Sequence, residues 1–101
     1  MKYTVTNNNA DANMTGLVGY VNTTYDDLVN KFGEPMAGGD KTTCEWIIKF
    51  ADGEVATIYD WKERSTPKYD YDWHIGGNKA AVVQRVAAAL GVGNNCWSTG
   101  W

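Results

Sequence analysis

Apolar and polar positions alternate most clearly in the middle of the chain. The run Cys44–Phe50 (CEWIIKF) places Cys44, Trp46, Ile48 and Phe50 at period two, and Val55–Trp61 (VATIYDW) does the same with Val55, Thr57, Tyr59 and Trp61. Successive strand side chains point to opposite faces, so each run predicts a strand with one buried face. Ala51-Asp52-Gly53-Glu54 separates the two runs. Asp-Gly between alternating segments signals a hairpin, because a type I′ turn needs positive φ at both central positions. Pairing about Asp52-Gly53 sets Phe50 against Val55, Ile48 against Thr57, Trp46 against Tyr59 and Cys44 against Trp61. In that register these eight residues form the core face. Glu45, Ile47 and Lys49 then oppose Asp60, Ile58 and Ala56 on a half-wet face with an Ile47–Ile58 pair in its middle. A third strand is expected over Tyr69–Ile75, after a charged loop at 62–68 in which Pro67 forbids a ladder bond.

The flanks carry two short strand-like runs and two helical periods. Lys2–Thr6 and Gly16–Val21 predict short strands, the second weakened by its glycines, with an Asn-rich loop at 7–15 between them. Thr23 or Thr24 then caps a helix whose first turn holds Asp26 and Asp27 and whose apolar stripe is Tyr25, Leu28, Val29 and Phe32. Gly33 and Pro35 stop it. Gly76-Gly77-Asn78 leads into a second helix over 79–90, with Asn78 as N-cap, Gly91 as the residue beyond its end, and Val82, Val83, Val86, Ala87 and Leu90 as its buried face. Residues 91–101 show no period. The order β-β-α-β-β-β-α predicts an α+β two-layer sandwich: an antiparallel sheet of three to five strands with two helices on one face. The other sheet face is left for a partner or ligand. Residues 1–101 are expected to form a single domain, with 1–15 and 91–101 peripheral.

Composition narrows the function classes. With 101 residues, 44% apolar and 21% charged, the chain has the make-up of one globular domain. A net charge of −3 argues against nucleic acid as the main partner, since neutralising phosphates needs a basic face. Cys44 and Cys96 are too few for a disulfide framework. They read as a reduced intracellular pair, or as one bridge tying down the C-terminal segment. No apolar run opens the chain, so neither a signal peptide nor a membrane span is expected.

Four constellations could carry chemistry. His74 is the only histidine; Asp60 or Asp72 could orient it as a general base, but no Ser or Cys nucleophile is spaced to use it. A sheet-face histidine with local hydrogen bonds is the simpler reading. Gly76-Gly77-Asn78-Lys79 at a strand-to-helix turn could hold a phosphate on free N–H groups, or be only a tight turn. Trp61, Tyr69, Tyr71 and Trp73 flank a loop with Lys62, Arg64 and Lys68, a combination that suits stacked bases and phosphates, although half of these aromatics must face inward. Trp97 and Trp101 stand in a Gly/Asn/Ser-rich stretch and must dock either on the chain's own surface or in a partner. One His and two distant Cys do not make a metal set, so no metal and no cofactor are expected.

Two resemblances add to this. The capped helix from Thr24, then Phe32-Gly33-Glu34-Pro35, then a hairpin with Trp46, is similar to the unit of small lipoprotein and β-lactamase-inhibitor-like binding modules. That group implies an antiparallel sheet and no catalysis; its signal peptide and paired cysteines have no counterpart here. The segment Tyr25–Val86 resembles a family of short uncharacterised proteins of tailed bacteriophages. The match is carried by FGEP, Glu45-Trp46, Asp52-Gly53, Ala56-Thr57-Ile58-Tyr59 and Trp73-His74-Ile75-Gly76-Gly77. This resemblance implies a phage accessory protein in the cytoplasm of the infected bacterium, with no established activity. The expectation is therefore a non-enzymatic inhibitor of a host protein, anti-CRISPR-like in its anti-defence role. Its anchors would be Arg64, Tyr69, Tyr71, Trp97 and Trp101, since aromatics and Arg dominate hot spots. The alternative is a sponge for a small signalling nucleotide, using Trp61, Lys62, Arg64, Trp73, His74, Gly76, Gly77 and Lys79. Neither reading places the protein on nucleic acid or a membrane, and a homodimer through the tail tryptophans is a third arrangement.

Overall fold

A computed structural model describes residues 2–12 and 15–99. Seven strands and two helices follow in the order β1 (Tyr3–Val5), β2 (Gly16–Thr23), α1 (Tyr25–Phe32), β3 (Met36–Ala37), β4 (Cys44–Phe50), β5 (Val55–Tyr59), β6 (Tyr71–Gly77), α2 (Ala81–Leu90) and β7 (Cys96–Ser98). A 3₁₀ turn at Asn9–Ala12 precedes β2. All pairings are antiparallel, in the sheet order β1-β4-β5-β6-β2-β7, with β3 beside β4.

The α+β class is as expected, but the sheet has seven strands and not three to five. The additions are β3 and β7, of two and three residues, too short for alternation to register. β7 lies in the aperiodic C-terminal stretch and forms only because β2 offers it an edge, Tyr20 facing Trp97. The third strand of the central region begins two residues later than expected and runs through Gly77.

The central hairpin is slipped by one residue from the expected register. Trp46 faces Ile58, Ile47 faces Thr57 and Ile48 faces Ala56. The turn is the cause. Gly53 N–H donates to the Phe50 carbonyl at 2.9 Å and Phe50 N–H to the Glu54 carbonyl at 2.8 Å, so three residues form the loop. Of its residues only Gly53 has positive φ, at 94°, the arrangement of a turn closed by a glycine bulge and not a two-residue type I′ turn. A one-residue slip exchanges the faces of one strand relative to the other. Ile58 and Ala56 therefore join Trp46 and Ile48 in the core, while Thr57 and Tyr59 move to the outer face with Glu45 and Ile47.

The core lies between the inner sheet face and the helices. Val21, Trp46, Ile48, Ile58, Trp73 and Ile75 meet Val82, Val83, Val86 and Ala87 of α2 and Leu28 and Phe32 of α1. α2 lies on the sheet, whereas α1 packs chiefly beside α2, so the expected pair of helices flat on one face is met only in part. The indoles of Trp46 and Trp73 meet edge to face, 5.6 Å apart at 81°. Trp46 Nε1 donates to the Gly33 carbonyl at 2.8 Å and fastens the end of α1 to the sheet. Thr24 caps α1 by accepting from Asp27 N–H at 3.1 Å. Gly91 closes α2 in the left-handed conformation, with Val92 N–H reaching the Ala87 carbonyl. Asn78 does not cap α2; the helix starts later, after Ala80, without a side-chain cap.

Candidate functional site

On the outer face one row of side chains crosses five strands. Glu45 on β4 pairs with Tyr59 on β5, Tyr59 with His74 on β6, His74 with Tyr20 on β2, and Tyr20 with Trp97 on β7. Directly opposed residues on one sheet face are in side-chain contact. The rings of Tyr59 and His74 lie 5.4 Å apart and those of Tyr20 and His74 4.9 Å apart. Tyr20 and Trp97 stack at 5.4 Å with 27° between planes. Trp61 turns its ring edge to face against Tyr59 at 6.4 Å.

A bulge in β2 completes this surface. The pairing jumps from Leu17–Gly76 to Gly19–Ile75 and leaves Val18 as the extra residue. Val18 is buried, and both Leu17 and Tyr20 line a depression of about 350 Å³ with Tyr59, Trp61 and His74. A regular strand would put residues three apart on opposite faces, so the bulge is what brings both to one side. Gly19 faces the other way: a Cβ there would lie 2.4 Å from the Trp97 carbonyl oxygen and 2.7 Å from Val83. Only glycine lets β7 and α2 close on β2 at that point.

Two further depressions adjoin the first. One of about 300 Å³ shares Tyr59 and Trp61 with it and is lined also by Thr15, Glu45, Thr57 and Gly76. Thr42 links that one to a groove of about 490 Å³ containing Asp40, Lys41, Lys62, Glu63 and Arg64. A depression of about 460 Å³ at the β1–β4 edge, with Lys2, Tyr3, Lys49 and Phe50, shares no lining residue with these. Beside the site, Ile47 is on the outer face yet fully buried, under the Asn9–Ala12 turn that packs on β4 and β5.

The electrostatics follow from partial burial. Burial pushes His74 below its ordinary value, against the pull of Asp60, Asp72 and Glu63, so the imidazole stays neutral at neutral pH. Its Nδ1 is buried without a hydrogen-bond partner among the described residues. Burial raises Glu45, and burial with the neighbouring Glu45 and Tyr20 raises Tyr59. Neither proposed carboxylate orients His74. Asp60 is fully buried and accepts from Thr43 N–H and Thr43 Oγ1, each at 2.7 Å. Because Thr43 Oγ1 donates there, Thr66 Oγ1, 2.7 Å from it, is the donor of the next bond. Asp72 accepts from Asn22 at 2.9 Å. Among the described residues no base–orienter pair and no metal-ligand cluster is assembled.

The sequence-derived candidates separate. Trp61 and His74 meet at the outer face, and Gly76 borders it. Lys62 and Arg64 line the adjoining groove. Trp73 is fully buried on the inner face, so it is not brought to the depressions. Gly76 and Gly77 are paired residues of β6, which corrects their expected place in a strand-to-helix turn. Lys79 pairs with Glu54 at 3.3 Å, away from the groove. Tyr69 is exposed and edges onto Tyr71, whose hydroxyl accepts from Trp61 N–H at 3.2 Å. Trp97 is 46% exposed and docks on its own sheet; Trp101 lies outside the described residues. Cys44 and Cys96 are free thiols, and burial raises the Cys44 thiol.

Glu45, Tyr59, Tyr20, Leu17 and Thr57 are site residues that sequence reasoning missed. The Gly-x-x-Gly spacing in Gly16–Gly19 was the available hint of a bulge. No protein-family model, no curated protein and no solved structure matches this chain.

Proposed function

We propose that this protein is a non-catalytic binding protein that captures a protein partner on the outer face of its sheet. One observation carries the reading: Leu17, Trp61 and Trp97 are 40%, 42% and 46% exposed around the Tyr59–His74–Tyr20 row. Half-exposed tryptophans packed against sheet tyrosines suit a hot spot, because their burial on binding costs little side-chain entropy. Tyr69 and Arg64 extend the surface at the β5–β6 loop. The phage resemblance supplies the setting, in which the partner is a host bacterial protein inhibited by occlusion.

The test places photo-cross-linking residues at Trp61 and at the exposed Gln84 of α2 in the bacterial host. The reading expects a discrete adduct from position 61 and none from 84. It also expects binding of the purified partner to weaken at least about tenfold in Trp61→Ala or Trp97→Ala, the loss of one anchor side chain. Unchanged binding by these variants, folded, overturns it.

A second reading has its own observation. Trp61 and Thr42 connect the aromatic depressions to the groove with Lys41, Lys62 and Arg64, none of which is ion-paired among the described residues. A small signalling nucleotide would stack on Trp61 with its phosphates in that groove. Native mass spectrometry distinguishes it: a retained mass of a few hundred daltons supports sequestration, and a bare chain from nucleotide-replete cells opposes it.

A further inference from the structure

We infer that the depression walled by Tyr59 and Trp61 is a cage for an arginine guanidinium presented by the protein partner, an inference that rests on the protein-binding reading above. The rings of Tyr59 and Trp61 stand at 72° to one another, two walls of an aromatic box. A cation is attracted to such faces, more strongly where water is partly excluded. At the same depression Glu45 is half-buried, and among the described residues its carboxylate makes no hydrogen bond and no ion pair. No Lys or Arg lines the depression. A carboxylate withdrawn from water without a partner is unfavourable, and an incoming cation relieves it. Burial already pushes its proton affinity up, consistent with a missing counter-charge.

Thr57 supplies an independent sign. It is 3% exposed and lines the depression, with its hydroxyl beside Gly76. The absent side chain of Gly76 keeps that hydroxyl open, since a Cβ there would lie 2.3 Å from Thr57 Oγ1. The box therefore brings together two aromatic rings, one carboxylate and one hydroxyl. A quaternary ammonium has no N–H to give the carboxylate or the hydroxyl. A guanidinium stacks through its plane while donating to both, and it is more weakly hydrated than a lysine ammonium. At about 300 Å³ the depression is at the small end of ligand pockets and has room for a guanidinium with part of its stem.

The full chain is titrated with N-acetyl-arginine amide, and the Trp61 indole and Thr57 amide signals are followed by NMR. A saturable shift with Kd of about 1–10 mM is expected, as for one exposed cation–π contact with a charge pair. Glu45→Gln, which keeps shape and removes charge, should weaken it about tenfold or more. The uncharged N-acetyl-citrulline amide should give no saturable shift. No shift at Trp61, an equal response to citrulline amide, or unchanged affinity in Glu45→Gln overturns the cage. A lysine or tetramethylammonium probe that binds more tightly overturns the guanidinium assignment. The two readings fail separately. A partner cross-linked through position 61 with no arginine response sinks the cage alone. An arginine response with no protein adduct sinks the protein partner and leaves the cation site.

Discussion

Tyr20 and His74 face each other across β2 and β6 with ring centroids 4.9 Å apart, at the centre of the row that runs from Glu45 to Trp97. The contact holds a neutral imidazole between two tyrosines, because Tyr59 closes on its other side at 5.4 Å. Among the described residues no carboxylate orients it, since Asp60 and Asp72 are engaged by Thr43 and Asn22.

That burial makes stability depend on pH. His74 is depressed from its ordinary value of 6.5, chiefly by burial. As pH falls below 6.5 the unfolded chain takes up this proton first, so the contribution of His74 is lost progressively toward its folded value. His74→Gln should remove that part of the slope. Urea titrations of both proteins between pH 7.5 and about 5 check it, with a difference that grows on acidification. A constant difference would contradict the assignment.

Glu45 acts in the opposite sense. Burial raises it above its ordinary 4.5, so the folded state holds its proton longer. Stability from this residue is therefore present at low pH and is lost as pH rises from 4.5 through the raised folded value. Glu45→Gln should be the more stable protein at pH 7, with an advantage that shrinks to nothing in acid. Thermal unfolding at pH 7 and pH 4 decides the matter.

The buried Asp60 ties the 60–70 loop to the entry of β4 through Thr43 and Thr66. Thr43→Val removes one donor and leaves the carboxylate short of a partner, at a cost of about 1–3 kcal/mol. Asp60→Asn combined with Thr43→Val should cost less than the sum of the single changes, since the groups form one network. Denaturant unfolding of the double-mutant cycle measures the coupling; strict additivity would refute it.

Gly19→Ala should loosen the β7 edge. The added methyl meets the Trp97 carbonyl and Val83, and overpacking of this kind costs about 1–3 kcal/mol. Thr99 N–H donates to the Val18 carbonyl at 2.9 Å and Asn22 N–H to the Asn95 carbonyl at 2.8 Å. Hydrogen exchange at both amides should accelerate by more than at Ile58, deep in the sheet.

The alternation of β4 to β6, the stripe of α1 and the valine face of α2 were legible because period two and period 3.6 are local properties of the chain. Thr24, Gly33 and Gly91 punctuate the helices for equally local reasons. Those features determined an α+β chain with an antiparallel hairpin at its centre. What faces what was decided only by the tertiary structure. The three-residue turn at Ala51–Gly53 moved Tyr59 and Thr57 from the expected core to the outer face, a change of one residue in register that inverts a strand. The Val18 bulge set Leu17 beside Tyr20. β7 owes its existence to an open edge of β2, and Trp97 its place to Tyr20. The turn is set by local hydrogen bonds, but the bulge, β7 and the place of Trp97 rest on contacts between residues distant in the chain. Alternation alone does not specify these last three, because their free energy appears only when the partner strand is present.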